Sequence, residues 1–358
     1  MERQRKFEHI TLGQRVLFGT GNAAEHLAGE VERLDAKRVM VITSARQRPE
    51  AERIIADIDP VLIHDEVAPH VSIGQAENAR NVAINNGIDL LVSIGGGSTT
   101  GLSKAIALKT DLPIVAIPTT YAGSEATNVW GLTESSRKTT GVDDRVLPVT
   151  VIYDAALTLS LPKEVSIASG MNALAHCIDS MWAPRTDPIN QALALDGIRT
   201  LSKALPAISN DPNDLAGREQ ALYGSYLSAV AFASAGSGLH HKICHVLGGR
   251  WNMPHAQTHA VVLPYVLAFN APAAQGAAHR IADALSAENA VDGLNSLRAA
   301  VGAPTALKDL GLSAEGINEA VQLILPAIPA SNPRRVTEEN LTALLGAAHA
   351  GTSPGSMC

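Results

Sequence analysis

Five of the chain's twelve histidines lie between residues 238 and 259, in the run Gly-Leu-His-His-Lys-Ile-Cys-His-Val-Leu-Gly-Gly-Arg-Trp-Asn-Met-Pro-His-Ala-Gln-Thr-His. His241 and His245 stand four apart, which on a helix puts both imidazoles on one face. His255 follows beyond Gly248 and Gly249, where the chain can turn back. Such a cluster can bind a metal, move protons or steady an anion. Upstream, Asn172 and His176 repeat the four-residue spacing, with an amide where a metal site wants a carboxylate. The chemistry turns on that contrast.

These side chains need a scaffold, and the chain supplies two kinds of grammar. Short apolar runs at 38–43, 89–94, 113–117 and 149–153 alternate with helical stretches. Continuous Val/Ile/Leu runs mean strands covered on both faces, hence a mostly parallel sheet flanked by helices. From Leu161 onward the pattern turns Ala/Leu-rich, with helices expected over 164–182, 188–208, 215–235 and after 271. The expected division is an α/β domain over 1–156 and an all-helical domain over 157–358, in keeping with a length too great for one ordinary core.

The run at 89–94 leads into Gly95-Gly96-Gly97-Ser98-Thr99-Thr100-Gly101 and then a helix. Three glycines let the backbone approach a ligand, and a helix starting there aims free N–H groups at a phosphate, with Ser98 adding a hydroxyl. Alone, such a run is equally an ordinary turn. A second run of hydroxyls and small residues, Pro118-Thr119-Thr120-Tyr121-Ala122-Gly123-Ser124, ends the next strand at the same sheet edge, where open α/β sheets bind ligands. The pattern is neither the usual dinucleotide fingerprint nor a Walker loop. Ser44 stands where an acid would grip an adenine ribose, with Arg46 and Arg48 close by, which weakens the case for strict NAD use.

Composition bounds the alternatives. Hydrophobic residues make up 46% and charged ones 18%, the balance of a soluble globular chain, and a net charge of −7 argues against nucleic acid as a partner. Three cysteines without paired spacing suggest neither a disulfide framework nor a four-thiolate metal site, so a cytoplasmic setting is expected. The charged N-terminus has no apolar signal core, and no run approaches a membrane span.

Together these motifs resemble the iron-containing alcohol dehydrogenase family, nearly end to end. The resemblance implies a dinucleotide-binding α/β domain joined to a helical domain. It implies NADH or NADPH as cofactor, held by Gly95, Gly96, Gly97, Ser98, Thr119, Thr120, Ser124, Ser44 and a lysine before the last strand, here Lys138. The family's metal is held by one Asp and three His, and the matching positions are Asn172, His176, His241 and His255. Gly101 where metal-dependent relatives carry Asp, Trp130 to Glu134, His240-His241-Lys242, Cys244 to Gly249 and Pro254 to His259 look typical of one branch of the family. That branch reduces the conjugated double bond of maleylacetate to 3-oxoadipate in bacterial degradation of aromatic compounds.

The implied chemistry places an enolate among the histidines. His241, Lys242, His245 and His255 are the expected catalytic residues, supplying imidazolium or ammonium charge and a proton. His176, Asn172 and Arg335, with Arg334 beside it, are expected at the substrate carboxylates. No metal, or only a weakly bound one, is expected with an amide at 172. His240 and His259 read as packed or supporting histidines, and Cys244 as a buried helix thiol. A homodimer is expected by family analogy. The competing readings are a metal-dependent alcohol dehydrogenase or aldehyde reductase of the same family, a lyase resembling dehydroquinate synthase, and a histidine-rich metal-binding protein without catalysis.

Overall fold

The structure is a computed structural model of the chain and describes residues 6–68, 71–134 and 137–354. In chain order the first part comprises β1 (Arg15–Phe18), α1 (Ala23–Arg33), β2 (Val39–Ile42), α2 (Arg48–Ile54), β3 (Leu62–His64), α3 (Ile73–Asn85), β4 (Leu90–Gly95), α4 (Gly97–Thr110) and β5 (Ile114–Pro118). It continues through β6 (Val129–Glu134), β7 (Arg137–Val142) and β8 (Thr150–Tyr153). Six strands form one sheet in the order β1-β8-β5-β4-β2-β3, every neighbouring pair parallel, while β6 and β7 pair as an antiparallel hairpin. The four apolar runs read from the sequence are the four central strands, buried along their whole length. Alternation along them builds two cores. Val39, Val41, Val92 and Ile117 pack with α1 and α2 on one face, and Met40, Ile42, Leu91 and Ala116 pack with α3 and α4 on the other.

The strand order contains a reversal. From β2 the chain moves outward to β3, and the next strand, β4, returns to the opposite side of β2. The loops leaving β2 and β4 therefore diverge at their C-terminal ends, the kind of crevice where open α/β sheets take ligands. Gly95 to Ser98 and Ser44 to Gln47 are those two loops.

The remainder is helical among the described residues: α5 (Lys163–Ser180), α6 (Pro188–Asn210), α7 (Leu215–Ala235), α8 (Leu239–Trp251), α9 (His255–Asn270), α10 (Gln275–Ala284), α11 (Ala290–Val301), α12 (Gly316–Ile324) and α13 (Glu338–Ala350). The change of grammar falls between β8 and α5, but compactness divides the chain differently. Among the described residues, one body comprises those of 13–169 with 207–222, and the other 6–12, 170–206 and 223–354. The sheet body keeps 207–222 because the fully buried Arg218 donates from Nη1 to Tyr121 Oη at 3.1 Å and Ser166 Oγ at 2.9 Å, and from Nη2 to Pro212 O at 2.8 Å. In the helical body α8, α9, α12 and α13 share a core of Ile243, Leu247, Val262, Val266, Ile324 and Leu344.

Gly95 ends β4 at φ 155°, and a Cβ there would come within 2.5 Å of Thr99 Oγ1. Gly95→Ala should therefore lower the unfolding free energy by about 1–3 kcal/mol, read as a lower urea midpoint with an unchanged slope.

Candidate active site

In the sheet body, a cavity of about 570 Å³ opens at the divergence of the loops. Ser44, Arg46 and Gln47 line it from β2, Gly96 to Thr99 from β4, and Thr119 and Thr120 from β5. No side chain caps α4, so the leading N–H groups of this 14-residue helix are left for an anion. Gln47 ties the rim together, donating from Nε2 to Thr119 Oγ1 at 2.5 Å and accepting from Ser44 Oγ at 3.2 Å. The sequence gives no motif for it. Ser124 begins a short 3-10 turn, and its carbonyl accepts from Thr127 Oγ1 at 3.2 Å. Behind that turn Lys104 of α4 is buried, its Nζ donating to Thr127 O at 2.7 Å and Val129 O at 2.8 Å, and burial pushes its ammonium down to about 7. Lys138 lies on β7 opposite Thr133, and its side chain falls outside the described residues.

In the helical body three helices bring the expected histidines together. Asn172, His176 and Asp179 follow one another at helical spacing on α5, all buried. His240, His241 and His245 come from α8 and His255 and His259 from the start of α9. The His176 ring stacks on His241 at 5.0 Å and on Phe232 at 4.8 Å. His241 meets His245 at 6.1 Å and His259 at 5.0 Å, and His255 meets His259 at 4.4 Å between ring centroids. Lys242 is half-buried on the turn beside His241, and His255 is exposed.

Asp179 orients the cluster, and it was not singled out from the sequence. Its Oδ2 lies 2.7 Å from His241 Nδ1 and accepts from the Gly238 N–H at 2.8 Å. A Cβ at position 238 would collide with the Asp179 carboxylate, so glycine is needed there for close approach. A carboxylate at Nδ1 fixes that nitrogen as the protonated one and presents Nε2, which is buried with no hydrogen-bond partner among the described residues. The signal was available: Asp179 sits seven residues after Asn172 on the face that carries His176.

Arg335 stands apart in the segment before α13. Its side chain is exposed, and its carbonyl accepts from Asn340 Nδ2 at 3.1 Å. Arg334 lies over the Phe269 ring at 4.5 Å. Among the described residues neither takes part in the ring contacts of the cluster, so the expected carboxylate role of Arg335 draws no support from its surroundings.

Burial sets the charge state. It pushes His176 down to about 4 and His240 to about 3, and holds His241 and His259 well below the ordinary imidazole value, with neighbouring rings adding to the effect in all but His176. Of the expected catalytic imidazoles, His241 is thus disfavoured as an imidazolium by its burial and by the rings beside it. Asp179 moves the other way, up to about 6, because burial outweighs the N–H groups that hydrogen-bond to it.

These shifts carry a sign for stability. Imidazoles with depressed values stabilise the fold above about 6.5 and lose that contribution as pH falls, since the unfolded chain then binds more protons. For His176 the full effect is roughly 3 kcal/mol. Asp179, raised, opposes it above its unfolded value, one group against four. The melting temperature should fall as pH drops from 6.5 toward 4, and His176→Gln should flatten that slope. Melting curves across that range check both.

The four positions that hold metal in the resembled family fit a hard cation poorly. Asn172 Oδ1, His176 Nδ1 and His241 Nε2 are buried without hydrogen-bond partners among the described residues, so they are open to a ligand. But Asn172 offers a neutral dipole in place of a charge.

Comparison with known proteins covers the whole chain. Residues 13–155 match the family model for iron-containing alcohol dehydrogenase, and residues 166–349 that for the Fe-containing alcohol dehydrogenase family, C-terminal. A maleylacetate reductase of Burkholderia cepacia is 43% identical over 342 residues, 95% of this chain and 97% of that one. The solved structure of an iron-containing alcohol dehydrogenase from Corynebacterium glutamicum superposes with a TM-score of 0.98 at 58% identity, covering 99% of this chain and 100% of that one. A maleylacetate reductase from a Rhizobium strain superposes at 0.92 with 40% identity, covering 98% of this chain and 100% of that one. The chain belongs to the iron-containing alcohol dehydrogenase family.

Proposed function

We propose that the protein reduces the carbon–carbon double bond of maleylacetate with NADH or NADPH, giving 3-oxoadipate. The observation that carries this reading is the end-to-end likeness to maleylacetate reductases, 43% identical over 95% of the chain in one case. The site is consistent with it. A hydride from the reduced nicotinamide forms a C–H bond at the alkene carbon β to the ketone, the π electrons move onto the ketone oxygen as an enolate, and a proton closes the α carbon.

The cofactor's pyrophosphate belongs at the start of α4, with Gly96, Gly97 and Ser98, and Thr119 and Thr120 line the same cavity. Ser44 stands in place of an acid, and the same cavity is lined by the cations Arg46 and Arg53 as well as the carboxylate of Glu50, which suits acceptance of both cofactors. Ser124 and Lys138 stay in this proposal as further cofactor contacts.

The histidine cluster would hold the enolate. His241, oriented by Asp179, directs Nε2 at the developing charge, with His245 and Lys242 sharing stabilisation and proton delivery. Binding a dianion raises the values of neutral buried imidazoles, so the proton arrives with the substrate. Asn172 acts twice here. An amide removes the charge that a metal would require and also the charge that would repel the substrate, and its NH₂ can donate to a carboxylate beside His176 and His255. No metal enters these steps. A homodimer and a cytoplasmic location, expected from the resemblance and the composition, are carried in the same proposal; among the described residues no helix is long and apolar enough to cross a membrane.

Mixing the protein with maleylacetate and either reduced nicotinamide should consume cofactor absorbance in step with substrate, equally with and without chelator. Consumption of neither cofactor would overturn the assignment. Activity lost on chelation and restored by iron or zinc would favour a metal-dependent carbonyl reductase on the same fold.

A further inference from the structure

One group of potential metal ligands in the helical body belongs neither to the family's metal positions nor to the proposed reaction. His240 and Cys244 lie four apart on α8, and His259 reaches them from α9. Their ligand atoms all fall within 4.8 Å of one another, and all three residues are buried. His240 Nε2 stands 2.9 Å from His259 Nδ1 and 3.7 Å from Cys244 Sγ. We infer that His240, Cys244 and His259 form a binding site for a thiophilic divalent cation of the zinc class, built from other residues than the family's metal positions and lying beside them.

The geometry is close to what such an ion needs. Zinc takes imidazole nitrogen at about 2.0 Å and thiolate sulfur at about 2.3 Å, which separates tetrahedral ligands by roughly 3.3–3.6 Å. The sulfur is close to that distance from His240 at 3.7 Å and within 4.8 Å of the His259 ligand atom, and the two imidazoles need to part by a few tenths of an ångström. Three protein ligands leave a fourth position open.

Protons and charge balance as well. In the absence of an ion one imidazole donates to the other. On binding, the donor ring moves that proton to its other nitrogen, His240 Nδ1 or His259 Nε2, both free of hydrogen-bond partners among the described residues. The Cys244 thiol gives its proton to solvent, so one proton is released per ion. Burial, with the Asp179 carboxylate adding to it, pushes the thiol well above its ordinary value, so without a cation Cys244 stays protonated. The cation, its thiolate and that carboxylate then sum to zero charge, which a buried site favours. Soft sulfur and two neutral imidazoles select zinc, cadmium or cobalt over magnesium or calcium.

Cobalt(II) chloride is the probe, because a cobalt–thiolate bond gives a near-ultraviolet charge-transfer band that imidazole and amide ligands cannot produce. Titrating the full chain, kept reduced by a phosphine, should raise that band to a plateau at one equivalent. One proton should be released per cobalt, and added zinc should displace the band. Cys244→Ser should abolish it, and His240→Gln should weaken cobalt binding at least about tenfold. Asn172→Ala and His176→Gln, which alter the family's metal positions, should keep it. Circular dichroism confirms that each variant is folded, and Cys244→Ala replaces the serine variant if that one is not. No band at excess cobalt, a band that survives loss of the Cys244 thiol, or one lost in Asn172→Ala and His176→Gln would overturn the assignment. The readout is independent of reductase activity, so its failure and that of the proposed function are distinguishable.

Discussion

The hydrogen bond between Asp179 and His241 is the constraint on which the histidine site depends. It joins α5 to α8 inside a region closed to water, fixes one tautomer of His241, and requires glycine at 238 so that the α8 backbone can approach the carboxylate. With that bond in place, His176 and Phe232 pack against the His241 ring, and His259 and His245 meet it at steep angles. Burial of the same region lowers the values of four of its rings. His176, His240, His241 and His259, each held below the ordinary imidazole value by burial, thus gather around one buried carboxylate whose own value is raised.

The sheet body follows a separate logic. Its cavity opens where the strand order reverses, since β2 and β4 are neighbours whose chains leave in opposite directions. The positive end of α4 and the hydroxyl rim need no charged side chain to attract a phosphate. The buried Lys104 acts on the protein itself, holding the carbonyls of Thr127 and Val129 and so fixing the turn that carries Ser124.

The central strands were legible because burial on both faces leaves continuous runs of Val, Ile and Leu, as in Leu90 to Ile94. β3 was not, because three residues at a sheet edge leave no pattern, and the β6–β7 hairpin is written in Thr, Gly, Lys and Glu, which alternate too weakly to read. Four-residue spacing drew His241, His245, Asn172 and His176 together, and the rings of His176, His241 and His245 do meet in the fold. Spacing carries no depth, however. It could not tell that His176 and His241 are closed off from water, which lowers both imidazoles, while His255 is exposed. Gln47 was missed for a related reason, since its partner Thr119 is distant in sequence and adjacent only once β2 and β5 lie at one edge.

The substitution at position 172 gives the site its direction. A carboxylate there would favour a metal ion polarising a carbonyl, with hydride delivered to the carbonyl carbon. On the proposed reading, an amide among imidazoles that gain protons with the substrate suits an enolate, with hydride delivered to the alkene. Reduction of maleylacetate with nicotinamide deuterated at the transferable position separates the two most directly. Deuterium found by nuclear magnetic resonance on the carbon β to the ketone of 3-oxoadipate is the predicted result. Deuterium on a carbinol carbon of a hydroxy acid would contradict it.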